Sequence, residues 1–240
     1  MKYQSKISQI IILGGGASIK DGIALGLWDK LKDRFVIGIN FSYKSYVPTI
    51  LTFVDASTFY TLPEIHPELA TLPLIIGTPY QIKREQMLAN SIFIPSTNVY
   101  IRDLSKGVYS SRLSGMYALS LAIHLLGEGE VFLLGYDLGT ITKDKDDKGR
   151  DITHYYQNHV NHGGIGKTYY YRIPRREEID FGVYKQEKDV HILNVSPNSN
   201  LNVFPKIDYP TFFSKLDNAV YNQDQLRTEI KTIFKAYLPK

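Results

Sequence analysis

Apolar residues along this chain fall into short runs, each ending in a glycine or a polar residue, and several runs are separated by stretches of helical spacing. The run Ile10 to Leu13 leads into Gly14, Gly15 and Gly16 and then into "IKDGIALGLWDKLKD", residues 19 to 33. That pattern predicts a strand, a glycine turn and a helix N-capped by Ser18. "RFVIGIN" and "TILTFVD" predict two further strands, which would deliver Asn40 and Asp55 to the carboxyl edge of a parallel sheet. "PLIIG" and "SIFIP" repeat the pattern more briefly. A buried helix is predicted from Gly115 to Leu126, stopped by Gly127, with a strand from Val131 to Leu134 after it. "DVHILNVSPNSN" reads as a strand running into a Pro-Asn turn, and "NQDQLRTEIKTIFKAYL" as a helix packed on the sheet.

Strands that alternate with helices and end in polar or glycine residues predict an α/β fold. The expected architecture is Rossmann-like: a mostly parallel sheet with helices on both faces. Two stretches break the alternation. Residues 142 to 151, "TKDKDDKGRD", mix both charges, and from there to Tyr171 the text is rich in His, Tyr, Asn and Gly. The expectation is one domain over residues 1–240, with a lid-like insertion over residues 140–172.

Composition narrows the picture modestly. With 240 residues and 43% apolar content the chain can bury a real core. Its net charge of +4 comes without a block of like charges, so nucleic acid is not selected over an anionic small substrate. The absence of cysteine removes disulfides, thiolate metal sites and thiol nucleophiles together. No apolar run approaches the roughly 20 residues of a membrane span, and the apolar run before Gly14 is too short for a signal sequence. The chain is therefore expected to be cytoplasmic with no membrane span, and formation of a homo-oligomer is left open.

The glycine turn is the first chemical candidate. A dinucleotide fingerprint needs G-x-G-x-x-G and an acidic residue after the second strand. Here Gly14 and Gly16 fit, Ile19 stands in the third position, and the second strand ends at Asn40, which disfavours NAD. A Walker loop fails too, since "GGIGKT" at residues 163 to 168 has Asn161 where the first glycine belongs. What survives is a generic anion site at a helix start, or a tight turn with no ligand.

The second candidate is "THYYQNHVNHGG", which places His154, His159 and His162 close together. Imidazole titrates near neutrality and can accept a proton from an attacking hydroxyl. Three neutral histidines could also hold zinc, and a solvated loop with no role is the third reading. Tyr155, Tyr156, Tyr169 and Tyr170 could donate to a phosphate, with Lys167 and Arg172 adding charge. Asp55 and Asp137 could orient a ribose or bind Mg²⁺, while Asp55 reads equally well as a helix cap. His124 and His191 lie in apolar segments and read as packed residues, and Arg112 is a candidate phosphate partner.

Five stretches in order, "LGGGASI", "GINFSY", "RLSGMYALSLAIHLLG", "EVFLLGYDLG" and "VSPNSNLNVF", resemble the motifs of the bacterial sialyltransferases of glycosyltransferase family 42. They also resemble a related domain of unknown function found in flagellin-modification proteins, phage proteins and archaeal pterin pyrophosphokinases. Gly15 and Ala17 stand where the sialyltransferases carry Asn and Pro, and Gly139 where they carry Tyr. The resemblance implies a nucleotide site built from Gly14, Gly15, Gly16, Ser18, Asn40, Asp55, Ser114, Gly115, Asp137, Pro197, Asn198 and Ser199. It also implies metal-independent chemistry, with His154 as a positioning residue, His159 or His162 as general base, and tyrosines such as Tyr156 on the leaving phosphate. Three functions follow as expectations. The first is transfer of a sugar from a nucleotide-sugar, in the first place a CMP-sugar, to a hydroxyl acceptor, with no cofactor required. The second is Mg²⁺-dependent pyrophosphoryl transfer to a pterin-like alcohol, and the third is nucleotide binding without catalysis.

Overall fold

The computed structural model describes residues 7–54, 67–79, 90–110, 113–138, 154–156 and 180–235. In chain order its strands are β1 (Gln9–Leu13), β2 (Val36–Ile39), β3 (Ile50–Thr52), β4 (Ile75–Thr78), β5 (Ser91–Phe93), β6 (Ser96–Thr97), β7 (Val108–Tyr109), β8 (Gly129–Leu134) and β9 (Val190–Asn194). The helices are α1 (Ile19–Ala24), α2 (Leu27–Leu31), α3 (Ser114–Leu126), α4 (Tyr209–Lys215) and α5 (Gln223–Lys235). Seven strands form one sheet in the order β5-β4-β3-β2-β1-β8-β9, and every pairing is parallel. The separate pair β6 and β7, also parallel, is too short to show in the sequence pattern.

Because a parallel sheet must be covered on both sides, its central strands read as unbroken apolar runs. All five residues of β1 are buried. Ile10 and Ile12 join one apolar cluster, and Ile11 and Leu13 join the other, as the two-residue period of a strand requires. The first cluster is roofed by α3, by Phe181 and Tyr184, and by Leu226, Ile230 and Phe234 of α5. The second is closed by Ile19, Leu27 and Leu31 of α1 and α2 and by Tyr209 and Phe212 of α4. This is the α/β, Rossmann-like parallel architecture with helices on both faces that the sequence predicts.

Helix α3 is apolar around its whole circumference because it is covered on all sides. Two of its polar groups are matched inside the core. Ser120 Oγ and Tyr184 OH lie 3.0 Å apart, and the Tyr117 hydroxyl donates to the Ile94 carbonyl at 2.7 Å. At the amino edge of the sheet the C-terminal segment is tied down through Asp217, whose carboxylate meets Arg34 at 3.1 Å while its N–H donates to Gln9 Oε1.

Several expectations are corrected, among them that His191 is a packed residue: it is exposed on β9. The stretch from Ile19 to Asp33 is not one helix, because Gly26 takes φ +82° and splits it into α1 and α2. That left-handed conformation is open to glycine at no steric cost. Ser18 does not cap α1 with its side chain; its hydroxyl is used elsewhere, as described below. Helix α3 and strand β8 begin one and two residues earlier than predicted. No helix among the described residues is long and apolar enough to cross a membrane.

The carboxyl end of α3 carries a histidine and an arginine, which suit the negative end of a helix. Arg102 donates to the Gly127 carbonyl and pairs with Glu187 at 2.9 Å. Burial lowers the His124 pKa below its usual 6.5, although Nδ1 lies 2.7 Å from the Ser120 carbonyl. The unfolded chain therefore binds the proton more readily than the fold does. Stability should be complete above about pH 6.5 and fall as the pH drops through the lowered value. Urea unfolding of wild type and His124→Gln from pH 8 to 5 should show a shallower acid loss in the variant. Leu133, fully buried in β8, should cost about 2–5 kcal/mol when truncated to Ala, read by the same assay at pH 7.5.

Candidate functional site

In an open parallel sheet the crevice outside the carboxyl ends of the strands, where the winding direction reverses, is the natural place for a ligand. Here the reversal lies between β1 and β8. Strand β1 leaves into Gly14 to Gly16 and β8 into Gly135 to Asp137, side by side. The two exits are stitched together by Gly14 N–H to the Leu134 carbonyl at 2.8 Å and Gly16 N–H to the Gly135 carbonyl at 2.9 Å. A Cβ on Gly14 would sit 2.9 Å from the Leu134 and Gly135 carbonyl oxygens, and one on Gly16 would sit 2.5 Å from Asp137 Cγ. These two glycines are required by the closeness of the two backbones.

Asp137 is the hub of this crossing and is only 4% exposed. Its carboxylate accepts from the Ser18 N–H at 2.8 Å, from the Ser18 hydroxyl, and from the Ser196 hydroxyl at 2.7 Å. The protein's own carboxylate thus occupies the amino end of α1, and the amides of residues 14, 16 and 18 all have internal acceptors. The Pro-Asn-Ser turn docks onto the same exit. Ser199 Oγ donates to the Tyr136 carbonyl at 2.6 Å and Asn200 N–H to the Asp137 carbonyl at 3.0 Å, while Pro197 and Asn198 stay exposed.

The exits of β2 and β3 are joined to the start of α3. Asn40 takes φ +52°, a conformation that asparagine tolerates better than most residues. Its Oδ1 accepts from Ser114 Oγ at 3.2 Å, and Ser114 Oγ in turn accepts from the Val54 N–H at 3.2 Å. Gly115 faces Tyr136, whose hydroxyl donates to the Gly115 carbonyl at 2.8 Å. Leu113 holds the cap position of α3 and gives no side-chain acceptor. The Met116 and Tyr117 N–H groups return to the Leu113 carbonyl, and those of Ser114 and Gly115 have no acceptor among the described residues.

Residues 154 to 156 close the site from the other side. The Tyr155 N–H donates to the Gly15 carbonyl at 3.0 Å. Tyr156 is fully buried, with its ring 6.2 Å from Phe41 and 5.2 Å from the His154 imidazole. A Cβ on Gly15 would lie 2.6 Å from His154 Cδ2 and 2.7 Å from the Tyr156 hydroxyl, so both side chains rest on the middle of the turn. Burial pushes the Tyr155 phenol above its usual range.

The structure therefore gathers Gly14, Gly15, Gly16, Ser18, Asn40, Ser114, Gly115, Asp137, Ser199, His154 and Tyr156 at one end of the sheet. His159, His162 and Asp55 lie outside the described residues, as do Arg112, Lys167, Tyr169, Tyr170, Arg172 and all of the 140–172 stretch except residues 154–156. Among the described residues no group of three or more His, Asp or Glu could hold a metal ion. Ser196 and Tyr136 were not singled out by their residue type; the Ser196 hydroxyl lies within the quoted "VSPNS" turn, but its partner is remote in sequence.

A cavity of about 340 Å³ lies elsewhere, lined by Tyr100, Arg102, Gln186, Glu187, Lys188 and Asp189 beside the amino end of β9. Its acids and Arg102 neutralise one another, and it adjoins none of the groups above. The carboxyl edge is the better candidate on chemical grounds. No family model, curated protein or solved structure matches the chain.

Loss of the Asp137 carboxylate would strand a buried N–H and two hydroxyls. Asp137→Ala should cost about 2–4 kcal/mol in urea unfolding, with Asp137→Asn intermediate because one of its two side-chain atoms still accepts.

Proposed function

We propose that this chain is a nucleotide-binding enzyme of the glycosyltransferase kind, which takes a sugar from a nucleotide-sugar and passes it to a hydroxyl acceptor. The observation that carries the reading is the convergence of residues from four separated stretches, Asn40, Ser114–Gly115, Ser199 and His154, on the crevice beside the glycine turn. These groups are neutral donors and acceptors of the sort that recognise a phosphate and a ribose. The start of α3 is the better phosphate seat. The N–H groups of Ser114 and Gly115 have no acceptor among the described residues, whereas the amides at residues 14, 16 and 18 are already bonded. A histidine at that edge can serve as general base for the acceptor hydroxyl. A CMP-sugar is the first donor to try, in keeping with the family resemblance.

Thermal unfolding with CMP, CDP, UDP, GDP and ATP, each with and without Mg²⁺, tests this. A ligand at about a hundred times its Kd stabilises by roughly 2.7 kcal/mol, which for a chain of this size is a rise of roughly 5–10 °C. The expected result is a rise with CMP that needs no metal and is lost in Asn40→Ala and Ser114→Ala. A rise only with ATP and Mg²⁺ would transfer the assignment to pyrophosphoryl transfer, and no rise with any nucleotide would overturn nucleotide binding.

A further inference from the structure

The reading above leaves open which part of the chain brings a histidine to the site and holds it there. Tyr155 is gripped by three stretches of sequence. Its N–H is bonded to the Gly15 carbonyl at 3.0 Å, its ring lies 6.4 Å from that of Trp28 in α2, and its hydroxyl reaches the Ser42 carbonyl at 3.4 Å. Trp28 is itself stacked on Tyr46, with ring centroids 5.6 Å apart. Tyr155 is buried, while its neighbour His154 is partly open and lies against the face of Gly15. A ring held on one side of the chain and an imidazole delivered on the other is the arrangement of an anchor and its load.

We propose that Tyr155 is a positioning residue that fixes His154 over the middle of the glycine turn, making it the imidazole a ligand at the carboxyl edge meets. The assignment of a phosphate- or hydroxyl-bearing ligand rests on the function proposed above; the anchoring itself does not. It gives a role to an aromatic pocket of Trp28, Tyr46 and Tyr155 whose position beside the turn is otherwise unexplained. It also explains why residue 15 has no side chain: a Cβ there would displace His154 and Tyr156 together.

Trp28 is the only tryptophan in the chain, so its fluorescence reports on the anchor directly. The experiment compares wild type, Tyr155→Ala, Tyr155→Phe and Gly15→Ala by acrylamide quenching of Trp28 and by the NMR titration of the His154 ring, identified by its loss in His154→Ala. In Tyr155→Ala, Trp28 should become more quenchable and the His154 signal should move to that of a solvated imidazole. Tyr155→Phe should keep both near wild type. Gly15→Ala, which leaves the aromatic ring in place, should shift His154 even if Tyr155→Ala fails to fold. A His154 signal unchanged in a folded Tyr155→Ala overturns the proposal, and where that variant does not fold, a signal unchanged in Gly15→Ala does so.

CMP is then titrated into the same proteins. The positioned imidazole predicts that CMP moves the His154 signal in wild type and Tyr155→Phe. It also predicts that affinity falls about tenfold in Tyr155→Ala, the equivalent of one well-placed hydrogen bond. If the variants behave as expected but CMP moves nothing, the nucleotide reading is overturned and the positioning of His154 is not.

Discussion

The parallel pairing of β1 with β8 is the constraint on which the site depends. It brings two strand exits from opposite arms of the sheet into van der Waals contact, where ordinary side chains would collide with main chain. Gly14, Gly16 and Gly135 remove that collision, and Asp137 turns the close approach into a bonded junction by holding the turn after β1 and the turn after β9 at once. A buried carboxylate is costly unless its oxygens are fully used, and here three donors from two segments meet it. The same bonds that settle Asp137 fix the relative heights of β1, β8 and β9 at the edge where a ligand would arrive.

That junction divides the labour between two helix starts. Helix α1 has only six residues and already has an anion at its amino end, supplied by Asp137. Helix α3 has thirteen, begins without a side-chain cap, and presents Ser114 and Gly115 at the carboxyl edge. An incoming phosphate would meet a carboxylate at the first, and at the second the Ser114 and Gly115 amides, which have no acceptor among the described residues. Glycine-rich turns are often read as phosphate cradles; in this chain Gly14 and Gly16 serve backbone approach.

Most of the sheet was legible because its strands are buried on both faces and so appear as continuous apolar runs bounded by glycine or polar residues. The same holds for α3, where "MYALSLAIHLL" is apolar but for Ser120 and His124. What could not be read was anything decided by a remote partner. Ser18 looks like a cap by type and place, yet its hydroxyl answers to Asp137, 119 residues away. Ser196 meets the same carboxylate from 59 residues beyond it. The helical spacing from Ile19 to Asp33 gave no sign of a break, and the positive φ of Gly26 separates α1 from α2. In the candidate site, Asn40, Ser114 and Gly115 were found from strand-end position and resemblance, whereas the anchoring of Tyr155 was invisible because a tyrosine in a polar stretch carries no periodic signal.

The crowding at Gly15 has a consequence for how binding and order are related in this fold. His154 and Tyr156 rest on the turn through a contact that leaves no space for a Cβ, and Tyr155 is held by the Trp28 ring of α2 and the Ser42 carbonyl after β2. Residues 154 to 156, which carry the histidine, are thus held by the glycine turn and the elements beside it, at the cost of filling part of the crevice. A scaffold whose turn amides are internally satisfied has little left there to hold a phosphate tightly. On the proposed function, recognition would draw on Asn40, the start of α3 and the imidazole together, and selectivity would come from the joint geometry of these groups and from the aromatic pocket that holds one of them in place.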